Sequence, residues 1–255
     1  MAGDVSADVV WHDAECGGYG ADLGLWEELA AAANGPLLDL GCGTGRVALH
    51  LARRGHQVVA VDREPALVAA LEERADGLPV RGVVGDARAL DLGQRFPLIL
   101  APMQLVQLLV DAEERSACLR GIAAHLTPGG IAALAIVESV AEEDVSSLSR
   151  YTGQTRQEEV PLPDTREVDG TVYSSLPLPT ELADDAILVR RLRQTVAPDG
   201  RLAEEEDTVR LRPLGAAGLE GEARAVGLEP LRRRSVAPTD DHVGSTVVVL
   251  RKGVA

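Results

Sequence analysis

Residues 37 to 45 read Leu-Leu-Asp-Leu-Gly-Cys-Gly-Thr-Gly, an apolar run that stops in a glycine-rich turn. A second apolar run, Val58-Val59-Ala60-Val61-Asp62, ends in an acid seventeen residues after Gly45. Short apolar runs bounded by turn residues read as strands buried on both faces. Between them, Val47, Ala48, Leu51 and Ala52 fall on one stripe of a helix. Strand, glycine turn, helix and strand make a βαβ unit, which commits the chain to a parallel sheet covered on both sides. Three glycines in five positions let the backbone turn sharply and come close to a ligand. An acid at the end of the second strand is placed to accept hydrogen bonds from the two hydroxyls of a ribose.

The spacing narrows the ligand. Dinucleotide folds use G-x-G-x-x-G and set a pyrophosphate on the helix N-terminus. Here Gly41, Gly43 and Gly45 follow a G-x-G-x-G pattern, with Asp39 two residues before the first. A carboxylate there repels a pyrophosphate and favours a cation such as an amino-acid ammonium. A ligand with a ribose and an amino-acid end fits S-adenosylmethionine. The run Leu38-Asp39-Leu40-Gly41-Cys42-Gly43-Thr44-Gly45-Arg46 closely resembles the first motif of class I S-adenosylmethionine-dependent methyltransferases. Gln57 to Asp62 resembles the second motif, and Gly85-Asp86-Ala87 the acidic turn that meets the adenine in that family. Phe96 to Met103 resembles its fourth-strand motif, and Thr127-Pro128-Gly129-Gly130 the loop before its fifth strand. The resemblance runs over about Tyr19 to Val137 and resumes near the C-terminus. It implies an α/β, Rossmann-like seven-stranded sheet with helices on both faces and an antiparallel last strand. It also implies S-adenosyl-L-methionine as cofactor and S-adenosyl-L-homocysteine as product.

Bulk properties set limits. A chain of 255 residues fits one α/β domain with an insertion. A net charge of −15 argues against a nucleic-acid partner and against an anionic membrane surface. Cys16, Cys42 and Cys118 form neither a disulfide framework nor a zinc set, which favours a reducing cytoplasm. Asp4, Asp8 and Asp13 stand where a signal peptide needs a basic start. No acidic cluster has metal-ligand spacing, so no metal is expected.

Along the chain, residues 1 to about 18 read as a mobile arm and Ala21 to Ala33 as a helix. Strands are expected at Pro36 to Leu40, Gln57 to Asp62, Val80 to Val84, Leu98 to Ala101 and Gly130 to Val137. Pro65 opens one intervening helix, and Asp111 with Glu114 caps another that runs to His125. Residues 1–144 form the cofactor-binding part. Residues 145–213 alternate apolar and charged positions between turn signals, as a small antiparallel β insertion covering the acceptor site. Residues 214–255 add a helix and two antiparallel strands that complete the first domain.

Ligands of open parallel sheets bind beyond the carboxyl ends of the strands. That rule and the resemblance together nominate Tyr19, Asp39, Gly41, Cys42, Gly43, Thr44, Gly45, Asp62, Arg63, Asp86, Ala87, Pro102 and Met103 for the cofactor. Cys42 reads as a small buried residue rather than a nucleophile. Met103 lines the pocket or fills core; Tyr19 closes over the cofactor or simply packs. Gln104, Gln107, Glu138, Tyr173 and His242 are the substrate-side candidates, each also readable as an ordinary surface or packing residue. His242 is the candidate proton acceptor by type and place, with Asp240 and Asp241 favouring its protonated form. His12, His50, His56 and His125 are given no role.

A sulfonium methyl is already activated, so transfer needs an in-line approach, a desolvated pocket and, for some acceptors, loss of a proton. Ala101-Pro102-Met103-Gln104 departs from the Asn/Asp-Pro-Pro-Tyr/Phe box of enzymes that methylate planar amino groups. The leading expectation is methyl transfer to a small molecule. A protein methyltransferase, or an S-adenosylmethionine-binding protein that transfers no methyl, are the alternatives; a dehydrogenase is the remote one. The sequence leaves the oligomeric state open.

Overall fold

The computed structural model describes residues 6–138, 162–183, 185–239 and 242–254. The chain opens with two helices, α1 (Ala7–Cys16) and α2 (Leu23–Ala31). The expected arm is therefore a helix over most of its length, and Val9, Val10 and Trp11 are buried. Then come β1 (Leu37–Leu40), α3 (Arg46–Ala52), β2 (Val58–Asp62), α4 (Pro65–Ala75), β3 (Val80–Val84), β4 (Phe96–Ala101), α5 (Ala112–His125) and β5 (Leu126–Ile136). The five strands pair in parallel, β1 between β2 and β4. Pro65 at the first turn of α4 and Asp111 at the N-cap of α5 act as expected. Asp111 Oδ1 accepts from the N–H groups of Glu113 and Glu114, both at 2.9 Å. Glu114 reaches back to the N–H of Val110, one residue earlier than a regular capping box, at 2.8 Å. Thr127 to Gly130 belongs to β5 itself, where a register shift absorbs the extra residues against β4.

A second, five-stranded antiparallel sheet follows: β6 (Asp164–Val168), β7 (Thr171–Pro177), β8 (Glu181–Ala183), β9 (Ala186–Val196) and β10 (Leu202–Leu211). Turns at Asp169-Gly170 and Asp199-Gly200 join β6 to β7 and β9 to β10, as the turn signals of the sequence imply; β6 and β8 are short and largely exposed. Residues 145–161 of the expected insertion lie outside the described residues. The chain then rejoins the first sheet through α6 (Ala216–Ala225), β11 (Leu228–Pro230), β12 (Arg234–Val236) and β13 (Ser245–Lys252). Both β11 and β12 pair antiparallel with β13, so they are one edge strand interrupted at residues 231–233. β13 runs antiparallel to β5, which leaves β11 and β12 parallel to the rest. The sheet order is β11-β13-β5-β4-β1-β2-β3, with β12 also paired to β13.

Successive strand residues point to opposite faces. Leu38 and Leu40 of β1 meet Leu119, Ile122 and Leu219 of α5 and α6 on one face. Leu37 meets Trp26, Val47 and Leu51 of α2 and α3 on the other. The sheet is thus covered twice, and its carboxyl ends are open only where the loops emerge. Among the described residues no helix is long and apolar enough to cross a membrane.

Candidate active site

The loop after β1 is pinned to β2: Gly41 and Cys42 donate to Val61 O at 2.8 and 3.0 Å. Gly43 N–H donates to Asp62 Oδ2 at 2.8 Å, and Glu64 N–H to Asp62 Oδ1 at 3.0 Å. Asp62 therefore stands at the end of β2, facing the glycine turn, and helps to shape it. Gly41, Gly43 and Gly45 all have positive φ, so each is in the conformation glycine adopts without cost. Gly43 is also the point of closest approach, but to a protein group. A Cβ there would lie 2.1 Å from His12 Nε2 of α1. The Cys42 thiol is buried and burial pushes it up, away from thiolate chemistry.

Asp39 lies under this loop, 1% exposed, and neither carboxylate oxygen has a hydrogen-bond partner among the described residues. Burial pushes its carboxyl up to about 7, against the attraction of Arg46 and a longer-range interaction with the Ala48 backbone N–H. Arg46 itself forms a bidentate pair with Asp22 at 2.5 and 2.8 Å and donates to Tyr19 O at 3.0 Å. Trp26 Nε1 donates to the same Asp22 carboxylate at 2.8 Å. The Arg46 guanidinium lies 5.1 Å from the Tyr19 ring centroid. The Tyr19 ring also packs on the His242 ring, centroids 4.7 Å apart and planes tilted by 34°. Two residues nominated from opposite ends of the sequence thus stack on one another beside the loop. His242 N–H donates to Thr239 Oγ1 at 3.0 Å; Asp240 and Asp241 lie outside the described residues.

The other strand ends are more committed. Asp86 caps a short 3-10 turn (Ala87–Ala89) by accepting from Arg88 N–H, and its carboxylate also accepts from Arg88 Nε and Nη2. These bonds hold its carboxyl below the usual range. Ala87 packs on the core, and Arg63 is exposed nearby. After β4, Pro102 is buried, and Met103 and Gln104 both sit at positive φ, +55° and +59°. Two consecutive non-glycine residues in that region are costly, and such strain collects at functional sites.

Three substrate-side expectations change. Gln107 is fully buried: its Nε2 donates to Val137 O at 2.9 Å and Arg212 O at 3.1 Å, and its Oε1 accepts from Val137 N–H at 2.8 Å. Both donors and one of the two acceptor positions are taken by backbone groups and the side chain is fully buried, so Gln107 is a joint of the fold. Glu138 accepts from Ala216 N–H at the start of α6 and from Thr246 Oγ1. Tyr173 makes an edge contact with Trp11, centroids 5.1 Å apart, and so faces α1.

Sequence reasoning missed α1. Its residues at helical spacing serve two surfaces. Val9 packs on Leu67 and Ala70 of α4, and Asp13 pairs with Arg74 at 2.6 Å and accepts from Thr44 Oγ1 at 2.7 Å. Trp11 meets Tyr173 and Arg193, and Glu15 accepts from Arg193 and Ser175 of the second sheet. The helix ties the glycine loop to the insertion. A cleft of about 350 Å³ lined by Pro36, Gln57, Pro79, Arg81 and Gln94 lies at the amino ends of the strands, the wrong end for this chemistry.

A family described as a methyltransferase domain matches residues 37–130. The Cypemycin N-terminal methyltransferase of a Streptomyces species is 36% identical over 153 residues, and the chain spans 60% of that relative's length. The sugar N-methyltransferase KedS8 from a Streptoalloteichus species superposes with a TM-score of 0.67 at 20% identity, over 99% of this chain and 90% of that one. The amino pentose methyltransferase CalS10 from Micromonospora echinaspora gives 0.66 at 20% identity, over 99% and 100%. At these identities the superpositions speak for the fold, and the sheet order, glycine turn and matched domain agree with it. Residues 37–130 thus match a methyltransferase domain, and the chain as a whole has the fold of these solved methyltransferases.

Proposed function

We propose that this protein transfers a methyl group from S-adenosylmethionine to the nitrogen of a small-molecule amine. The observation that carries the cofactor assignment is Asp39: a buried carboxyl with no partner within hydrogen-bond distance among the described residues, steadied only by the Arg46 charge and the Ala48 backbone, is a site for a cationic group such as an amino-acid ammonium. Asp62, at the end of the next strand, supplies a carboxylate for ribose hydroxyls, and Asp86 with Ala87 a turn for the adenine edge. The bound cofactor would supply a methyl carbon already activated by its sulfonium. The chain's own task is then to orient the acceptor and exclude water. The amine preference is supported by the names of the relatives, which include sugar, amino pentose and peptide N-terminal methyltransferases.

Calorimetry with S-adenosylmethionine, S-adenosylhomocysteine and NAD tests the cofactor. Binding of the first two and not the third is expected. Asp62→Ala removes a charge-assisted contact of about 2 kcal/mol, so affinity should fall by tens of fold. Unchanged affinity would remove Asp62 from the site. Labelled methyl transfer to a panel of amino sugars, peptide N-termini and their hydroxyl counterparts tests the acceptor. Turnover confined to the hydroxyl compounds would overturn the amine assignment.

A further inference from the structure

His12 lies where the two units of the molecule and the glycine loop meet. Its Nε2 sits against the backbone of Gly43, close enough that any Cβ there would collide with it. Its Nδ1 is 3.3 Å from Thr44 Oγ1. The direction of that contact follows from the next one. Thr44 has one hydroxyl hydrogen and gives it to Asp13 Oδ1 at 2.7 Å. Burial alone would push the Asp13 carboxyl up. Its bonds to Arg74 and Thr44 outweigh that and hold it below the usual range, so it is an acceptor only. Thr44 Oγ1 must therefore accept from His12, and the proton of the imidazole is on Nδ1. Nε2 is left with its lone pair and, lying beside Gly43, has no hydrogen bond among the described residues.

We propose that His12 is the proton acceptor of this site, presenting Nε2 to the N–H of the bound acceptor while Thr44 and Asp13 fix its tautomer. The proposal rests on the reading of this end of the sheet as a methyl-transfer centre. Methylation of an amine replaces hydrogen by carbon. The nitrogen forms the new N–C bond as the S–CH3 bond breaks, with its electron pair left on sulfur. The N–H bond then breaks, its pair stays on nitrogen, and the proton goes to Nε2. The surroundings suit both states. Burial lowers the affinity of the ring for a proton in the resting protein. Asp13 and Glu15 on its own helix, and Asp62 on β2, favour the imidazolium once formed, while Arg74 of α4 opposes it.

The test is nitrogen-15 NMR of the histidine-labelled full chain, with His12 assigned by His12→Gln. At pH 7 His12 is expected to be uncharged, with the proton on Nδ1. Thr44→Val, which removes only the hydroxyl, should let the other tautomer appear and supplies the assignment if His12→Gln does not fold. Saturating S-adenosylhomocysteine, with binding confirmed by calorimetry, should shift the Nε2 resonance. A His12 that is charged or Nε2-protonated at pH 7, or an Nε2 signal unmoved by bound S-adenosylhomocysteine, would overturn the proposal. If S-adenosylhomocysteine does not bind at all, the cofactor reading fails instead, and the two failures are told apart.

Discussion

Asp39 carries a free-energy cost that only function explains. Burial pushes its carboxyl up to about 7, so that it is only partly ionised near neutral pH. A carboxyl ordinarily titrates near 4. A raised value means the folded state binds the proton more tightly than the unfolded chain does. The contribution to stability is thus fully present below about pH 4 and is lost as pH rises through about 7. The loss amounts to on the order of 4 kcal/mol at alkaline pH. Asp39→Asn keeps the shape and removes the titration. Its thermal midpoint should exceed that of the parent at pH 8, and the gain should shrink towards pH 4. A pH-independent difference between the two proteins would show that the titration of Asp39 is not raised. The same residue was a legible candidate in the sequence because the signal is local: an acid two positions before a glycine turn. Gln107 was not legible, because what surrounds it comes from residues 137 and 212.

Elements with a clean hydrophobic period were readable to within a residue or two, as α4 and β3 show. The elements that were missed have their chemistry turned inside out. In α1 the buried side includes Asp13, and Glu15 is engaged across to the second sheet. Acids in a short N-terminal segment read as solvated, and their arginine partners at positions 74 and 193 are invisible to any local pattern. Edge strands β6 and β8 are short and largely exposed, so they lack the alternation that marks a strand. Gln107 gives the most direct test at this scale. It joins the end of β5 to the return of the chain at Arg212, whose N–H in turn donates to Gln107 O at 2.7 Å. Gln107→Ala leaves Val137 N–H and two carbonyls without partners. That should cost roughly 2–4 kcal/mol, or a fall of about 5–10 °C in melting temperature. A change within about 1 °C, where surface substitutions fall, would return Gln107 to the pool of ligand candidates.

At the scale of the molecule, two units share one strap. The candidate cofactor residues lie at the ends of β1, β2 and β3, whereas the second sheet follows β5 and, among the described residues, meets the glycine-loop side through α1. The negative charge is not a field around a basic groove. On the second sheet Arg190, Arg191 and Arg193, and Arg212 just past its last strand, are each bonded to acids, which leaves that surface ill suited to a phosphate backbone. We propose that the insertion selects the acceptor and has little part in holding the cofactor. The geometry of its junctions makes this testable. Val137, where the chain departs, and Arg212, where it returns, are both bonded to the one side chain of Gln107. A short glycine-serine linker in place of residues 139–210 should therefore close without moving β5 or α6. The shortened protein is expected to fold and to bind S-adenosylmethionine within about tenfold of the parent, or 1.4 kcal/mol. That margin allows for an α1 that has lost Tyr173 and Arg193 and lies more loosely on the glycine loop. Hydrogen exchange should show the loosening in residues 7–16 and not in β1 to β5. Methyl transfer to whichever amine the parent accepts should be lost or become indiscriminate. A folded deletion that binds no cofactor would mean that the second sheet, acting through α1, is part of the cofactor site itself.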